Sequence, residues 1–174
     1  LLTGDSSDNI LAGGPGDDVL NGGSGNDKYV FAAGWGADSI TEISGGGNDT
    51  LDFGSITVPM LFTIGKDSIN ITDGSSTFAY TGTNIETFAG GSNNDTFKFL
   101  DGAKTSGSID GQGGYDTLDL AAYTSACQIT LNSIGTIDGF KGATSLLGTN
   151  GFDNINNIIG SAAAGVSDTL TGCN

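Results

Sequence analysis

The chain has 174 residues, 31 of them glycine, with 20 acidic side chains against 5 basic ones, a net charge of −15 and no histidine. That charge excludes nucleic acid and anionic membrane surfaces as partners and favours cations. Without histidine there is no Ser-His-Asp or Cys-His arrangement and no H-E-x-x-H zinc helix, no G-x-S-x-G elbow occurs, and the chain is read as a non-enzyme.

Apart from Glu42 and Glu86 every acidic residue is Asp, and every basic residue is Lys. Asp, Gly, Asn, Ser and Thr favour turns and disfavour helix interiors, so an all-β fold is expected. The organisation lies in a repeat. Residues 13–21 (GGPGDDVLN) and 22–30 (GGSGNDKYV) both fit G-G-x-G-x-D-x-U-x, with U a large apolar residue, and they abut without a gap. Residues 4–12 (GDSSDNILA) are a degenerate copy in phase with them, with Asn9 in the Asp place. Further copies of the turn follow at 34–40 and 45–51, adding Gly36, Asp38 and Asp49.

Residues 53–89 lack most of this signal and read instead as alternating strands at 60–64, 68–72 and 77–80, making either wider coils or a hairpin laid over the stack. Strands at 127–131 and 136–140 are expected on the same grounds. Turn copies return at 90–97 and 113–118, contributing Asp95 and Asp116, with weaker echoes at 150–155 and 165–170. Three segments result: repeats over 1–52, longer strands over 53–89, and degenerate repeats over 90–174.

Glycines accept the left-handed backbone of a tight turn. Carboxylates and turn carbonyls are hard oxygen donors that suit Ca²⁺, and x-U-x is a very short strand with one inward side chain. Two units make one coil, so equivalent turns stack two units apart. Asn9, Asp27 and Asp49 then line one edge, and Asp18 and Asp38 the other. The in-phase apolar residues Leu11, Leu20 and Tyr29 argue against a disordered acidic loop.

On these residues the chain resembles the RTX, or haemolysin-type, calcium-binding nonapeptide repeat family, strongly over 4–52 and more loosely over 84–172. The resemblance implies a right-handed parallel β-solenoid, export from a bacterium in a calcium-free unfolded state, and folding outside the cell. It also implies Ca²⁺ ligands at Asp18, Asp27 and Asp38, with backbone oxygens from Gly14, Gly16, Gly23 and Gly25, and the matching positions of the other copies, Asn9, Gly36, Asp49, Asp95 and Asp116, complete the candidate metal ligands. The expected function is that of a secreted or cell-surface structural module folded by Ca²⁺, stacking head to tail on copies of itself into a fibre, surface layer, biofilm matrix or adhesin stalk. The alternative is an export, folding or polysaccharide-binding accessory module of a secreted enzyme. The chain opens mid-pattern at Leu1-Leu2-Thr3-Gly4 and reads as part of something larger.

Three further readings concern single residues. Trp35, Phe31, Phe53, Phe62, Phe97 and Phe99 are read as core rather than as a sugar-binding platform. Cys127 and Cys173 are read as an intrachain disulfide, with an interchain link and a buried thiol pair as the alternatives. The Thr-rich stretch 77–83 suggests an ice-binding face, but regular Thr-x-Thr rows are not visible in the sequence.

Overall fold

Each nonapeptide unit folds as a Gly-rich turn followed by a strand too short to hold more than one inward side chain. The computed structural model of the chain describes residues 1–172 and, among them, contains strands and turns and no helix. The opening units give β1 (Leu2–Thr3), β2 (Ile10–Leu11), β3 (Val19–Asn21), β4 (Lys28–Val30), β5 (Ser39–Thr41) and β6 (Thr50–Asp52). Each strand pairs in parallel with the second strand after it: β1 with β3 and β3 with β5 on one side, β2 with β4 and β4 with β6 on the other. The register places repeat positions opposite one another, Leu2 against Leu20 and Ile40, and Leu11 against Tyr29 and Leu51. Leu11, Leu20, Tyr29, Ile40 and Leu51 are all buried, as the spacing predicts.

Within residues 53–89, residues 61–81 form an antiparallel meander, β7 (Leu61–Ile64), β8 (Ser68–Thr72) and β9 (Thr77–Thr81). It lies in the plane of the first side rather than over it. The N–H of Thr77 at the start of β9 donates to the Gly36 carbonyl just before β5 (2.9 Å), and β7 pairs in parallel with β11 (Thr96–Phe99). Thereafter β11, β13 (Thr117–Asp119) and β17 (Asn157–Ile159) extend the first side. On the second side β6 is followed by β10 (Thr87–Ala89), β12 (Ile109–Asp110) and β16 (Phe152–Ile155). There the hairpin of β14 (Gln128–Ile134) and β15 (Phe140–Thr144) enters edge-on between β16 and β18 (Thr169–Thr171).

The expected strand at 136–140 is corrected: strand geometry starts only at Phe140, and 136–139 is the tip of this hairpin. The Gly135 N–H closes the tip on the Gly139 carbonyl (3.0 Å), with Gly139 left-handed at φ 54°. The N–H groups of Thr136 and Ile137 point at the side chains of Asp153 and Asn154 instead of at a strand neighbour. Local alternation was a poor guide because those side chains, distant in sequence, satisfy this backbone.

The core between the two sides is apolar and strongly aromatic. Phe31 stacks on Phe53 at 4.3 Å and Phe62 on Phe97 at 4.4 Å, while Trp35 meets Phe53 edge-on at 5.3 Å. Trp35, Phe31, Phe53, Phe62, Phe97 and Phe99 are all buried, so they are core and not a surface platform. Each such ring contributes about 1.5–3 kcal/mol through burial, which compensates for strands only two or three residues long.

Candidate metal centre

The consensus turn has a geometric reason at each place. The glycines at its second and fourth positions take the left-handed backbone, with φ of 94° and 97° at Gly14 and Gly16 and of 98° and 113° at Gly23 and Gly25; Gly36 is also left-handed at 75°. The first glycine does something else: it leaves room for its own repeat's Asp, which folds back over it. A Cβ on Gly13 would lie 2.7 Å from Asp18 Oδ2, one on Gly111 2.5 Å from Asp116 Oδ2, and one on Gly22 or Gly90 would collide with Asp27 or Asp95.

So placed, the carboxylate reaches the matching turn two repeat units earlier. Asp27 Oδ1 accepts the Asn9 N–H (2.8 Å), Asp49 Oδ1 the Asp27 N–H (2.8 Å), and Glu86 Oε2 the Asp49 N–H (2.8 Å). On the other edge Asp38 Oδ1 accepts the Asp18 N–H (2.9 Å). Further along, Asp95 takes the Met60 N–H and Asp116 the Asp95 N–H, both at 2.8 Å. The two edges are those expected from the spacing. The bonds to Asp49, Glu86, Asp95 and Asp116 each couple a buried N–H to a carboxylate, an arrangement that contributes about 1.5–3 kcal/mol, and those to Asp27 and Asp38 are part-buried.

A second ladder runs the opposite way from the residue just before the Asp. The Asn26 N–H donates to Asp8 Oδ1 (2.7 Å), the Asn48 N–H to Asn26 Oδ1 (2.8 Å), the Ala37 N–H to Asp17 Oδ1 (2.9 Å) and the Tyr115 N–H to Asn94 Oδ1 (2.9 Å). The repeat consensus leaves this position open. Its signal was the recurrent Asx-Asx pair at 8–9, 17–18, 26–27, 48–49 and 94–95.

At one place along the first ladder the carboxylates converge. One oxygen each from Asp27, Glu42 and Asp49 lie within 4.8 Å of one another. Asp27 and Asp49 are each 1% exposed and Glu42 is half-buried. The Tyr29 hydroxyl donates to Glu42 Oε1 and accepts the Gly22 N–H (2.7 Å). Asp27 Oδ2, the Tyr29 hydroxyl and Glu42 Oε1 crowd the position a Gly22 side chain would need. Asp27 Oδ2 and Glu42 Oε2 are buried and have no hydrogen-bond partner among the described residues. The nearest lysine in sequence, Lys28, is engaged outside, with Asp52 (2.5 Å).

The electrostatics follow. Burial pushes the Glu42 carboxyl up to about 7, and the charges of Asp49 and Asp27 add to it while the Tyr29 hydrogen bond opposes. Burial and the Asp27 charge raise Asp49 as well. Tyr29 lies above the usual phenol range because of burial first and Glu42 second. Buried carboxylates with unpartnered oxygens are costly unless a proton or a cation neutralises them. An all-oxygen donor set of this kind suits a hard cation such as Ca²⁺ or Mg²⁺.

The cluster unites Asp27 and Asp49 from the expected ligand set. Asn9 is one step back on the same ladder, with its Oδ1 on the Asp5 N–H (2.7 Å). Asp18 and Asp38, with Gly14, Gly16 and Gly36, belong to the opposite edge, and Asp95 and Asp116 lie further along. Burial is the main cause raising Asp38, lifting Asp95 to about 6, and lifting Asp116 to about 7 with help from Asp95, Asp138 and Asp110. Gly23 and Gly25 stack on the next turn, the Gly25 N–H on the Gly46 carbonyl (2.6 Å). The sequence reading missed Glu42 and Tyr29 as members. The available signal was that Glu42 is one of two glutamates in an Asp-rich chain, and that the other, Glu86, closes the same ladder. Cys127 is buried with its N–H on Asp168 Oδ1 (2.7 Å); Cys173, its expected partner, lies outside the described residues.

Comparison with protein-family models, curated proteins and solved structures finds no match to this chain.

Proposed function

We propose that this chain is an extracellular calcium-binding structural module, a right-handed parallel β-solenoid of the RTX type whose folding is driven by Ca²⁺. The observation that carries the reading is the convergence of Asp27, Glu42 and Asp49, with two buried carboxylate oxygens that no hydrogen bond satisfies. Those three residues would hold the ion, with the Tyr29 hydroxyl positioning Glu42. The ion would supply positive charge between two successive coils and bind them together.

Without it, mutual repulsion and the desolvation of these carboxylates oppose stacking, and each coil buries little surface to offset its chain entropy. Millimolar extracellular Ca²⁺ then stabilises the folded form by mass action. The chain is thereby soft enough to be exported and stiff once outside. The test is far-UV circular dichroism of the chelated protein titrated with Ca²⁺, with Mg²⁺ as control. A cooperative gain of β signal with Ca²⁺ is expected, and Glu42→Gln is expected to move the midpoint to higher Ca²⁺. A β signal complete in chelator and insensitive to Ca²⁺ in thermal unfolding would overturn the reading.

The same module would build a fibre, surface layer, biofilm matrix or adhesin stalk by head-to-tail stacking. The strand order supports this. One strand of each side, β1 and β2, is outermost at one end, and β17 and β18 are outermost at the other. Setting β1 beside β17 and β2 beside β18 continues both sides without breaking the alternation, and an open head-to-tail contact propagates. Electron microscopy at high concentration and millimolar Ca²⁺ is expected to show filaments; compact monomers alone would rule out this mode of assembly.

A further inference from the structure

The outward surface of the first side differs from the rest of the molecule. In β7, β8 and β9 the inward residues are buried and the outward ones are partly or fully exposed, in strict alternation. Register carries one outward position across six neighbouring strands as a single row: Thr77, Thr72, Leu61, Thr96, Thr117 and Asn157. A second row beside it begins Ala79, Asn70 and Thr63, and becomes charged only at Lys98 and Asp119. Spacing is set by the backbone, about 4.8 Å between strands and about 6.7 Å between rows.

Two features of this surface select a partner. In a chain of net charge −15, no outward residue of β7, β8 or β9 is charged, and the outward residues of β3 and β5 (Val19, Asn21, Ser39 and Thr41) are likewise neutral. The second side, by contrast, exposes Lys28, Asp52, Asp110 and Asp153 at its outward positions. The side chains of the first row are also short and mostly β-branched, so each Thr holds one methyl and one hydroxyl in a restricted rotamer. The Thr72 hydroxyl is held by the Ser76 carbonyl (2.8 Å) and the Gly74 N–H (2.9 Å), which fixes that side chain in the row. The outward positions of β7, β8 and β9 carry no aromatic ring of the kind on which a sugar stacks.

From the register, and from the neutrality of the first row and of β7, β8 and β9, we infer that this part of the face binds the surface of ice. A periodic grid of hydroxyls and methyls anchors ordered water: the hydroxyls enter its hydrogen-bond network and the methyls restrain the water between them. A lysine or carboxylate keeps its own strongly bound hydration shell and breaks that order, so the ordered water would lie along the first row and over β7–β9, and end where Lys98 and Asp119 begin.

The experiment measures thermal hysteresis and ice-crystal shape in Ca²⁺ buffer, with circular dichroism on every sample. The folded chain is expected to hold freezing below melting and to facet the crystals. Thr96→Lys and Thr77→Lys, both in the first row, are expected to abolish that gap with the β signal unchanged. Thr50→Lys, outward on the opposite side, is expected to retain it. A folded wild-type chain that neither facets ice nor separates freezing from melting overturns the proposal. So does an equal loss in Thr50→Lys, and so does co-sedimentation with insoluble neutral polysaccharide in the absence of any effect on ice.

Discussion

Asp49 holds two roles in one carboxylate. Its Oδ1 accepts the Asp27 N–H from the matching earlier turn, and one of its oxygens belongs to the cluster with Asp27 and Glu42. Substitution separates them. Asp49→Asn keeps an acceptor for the N–H and removes the charge, so it is expected to leave stability in chelator close to wild type and to weaken the Ca²⁺ response. Asp49→Ala removes both, orphans a buried N–H, and is expected to cost a further ~1.5–3 kcal/mol in chelator. Urea unfolding with and without Ca²⁺ reads both effects; equal behaviour of the two variants in chelator would show that the N–H is satisfied some other way. The sequence made Asp27 and Asp49 legible as neighbours because the repeat period places them on one edge. It did not make Glu42 legible, because nothing local in a glutamate one residue past β5 says that it folds in beneath Tyr29.

Among the elements, the hairpin of β14 and β15 shows how a segment outside the repeat is held by it. Asn154, fully buried with φ at 55°, accepts the Ile137 N–H (2.7 Å) and the Asp138 N–H (3.2 Å), and donates to Asp110 Oδ1 (2.7 Å). Asn tolerates the left-handed backbone better than most residues, so one residue supplies both the conformation and the acceptor. Asn154→Ala is expected to accelerate hydrogen exchange at 136–139 by well over tenfold while the strands of the first side keep their protection; uniform acceleration would mean that the hairpin opens only with the whole fold. The strands at 68–72 and 77–80 were visible in advance from alternation alone, since both lie in a local meander. The tip at 136–139 was not, because its partners Asp153 and Asn154 come from a strand still to be made.

For the whole molecule, the carboxylates set the response to pH. Glu42, Asp95 and Asp116 lie at about 7, about 6 and about 7, each chiefly because burial disfavours the charged form. A folded value above the unfolded one means that the folded chain holds more protons in the window between them, so stability falls as pH rises through it. In chelator the thermal midpoint is therefore expected to decline from pH 4.5 to about 7 and to level off above. On the proposed Ca²⁺ site, saturating Ca²⁺ is expected to flatten that decline, because the ion would replace the proton at Glu42. A midpoint that climbs over this range in chelator would contradict the burial of these groups. The repeat spacing alone forecasts two opposed edges of Asp, but not their first use as clasps between coils, which depends on side chains folding back over a glycine.

The two insertions also bear on straightness. The meander adds β8 and β9 to the first side, and the later hairpin adds β14 and β15 to the second, leaving nine strands on each among the described residues. Each pair lengthens its side by about 10 Å at the usual strand spacing. A single insertion would act as a wedge, making one side longer than the other and turning a line of coils into an arc, as unequal expansion bends a bonded strip of two metals. The second insertion, on the opposite side, cancels the first. A rod assembled from such units would keep its direction from one unit to the next, and deletion of either pair alone would make it coil.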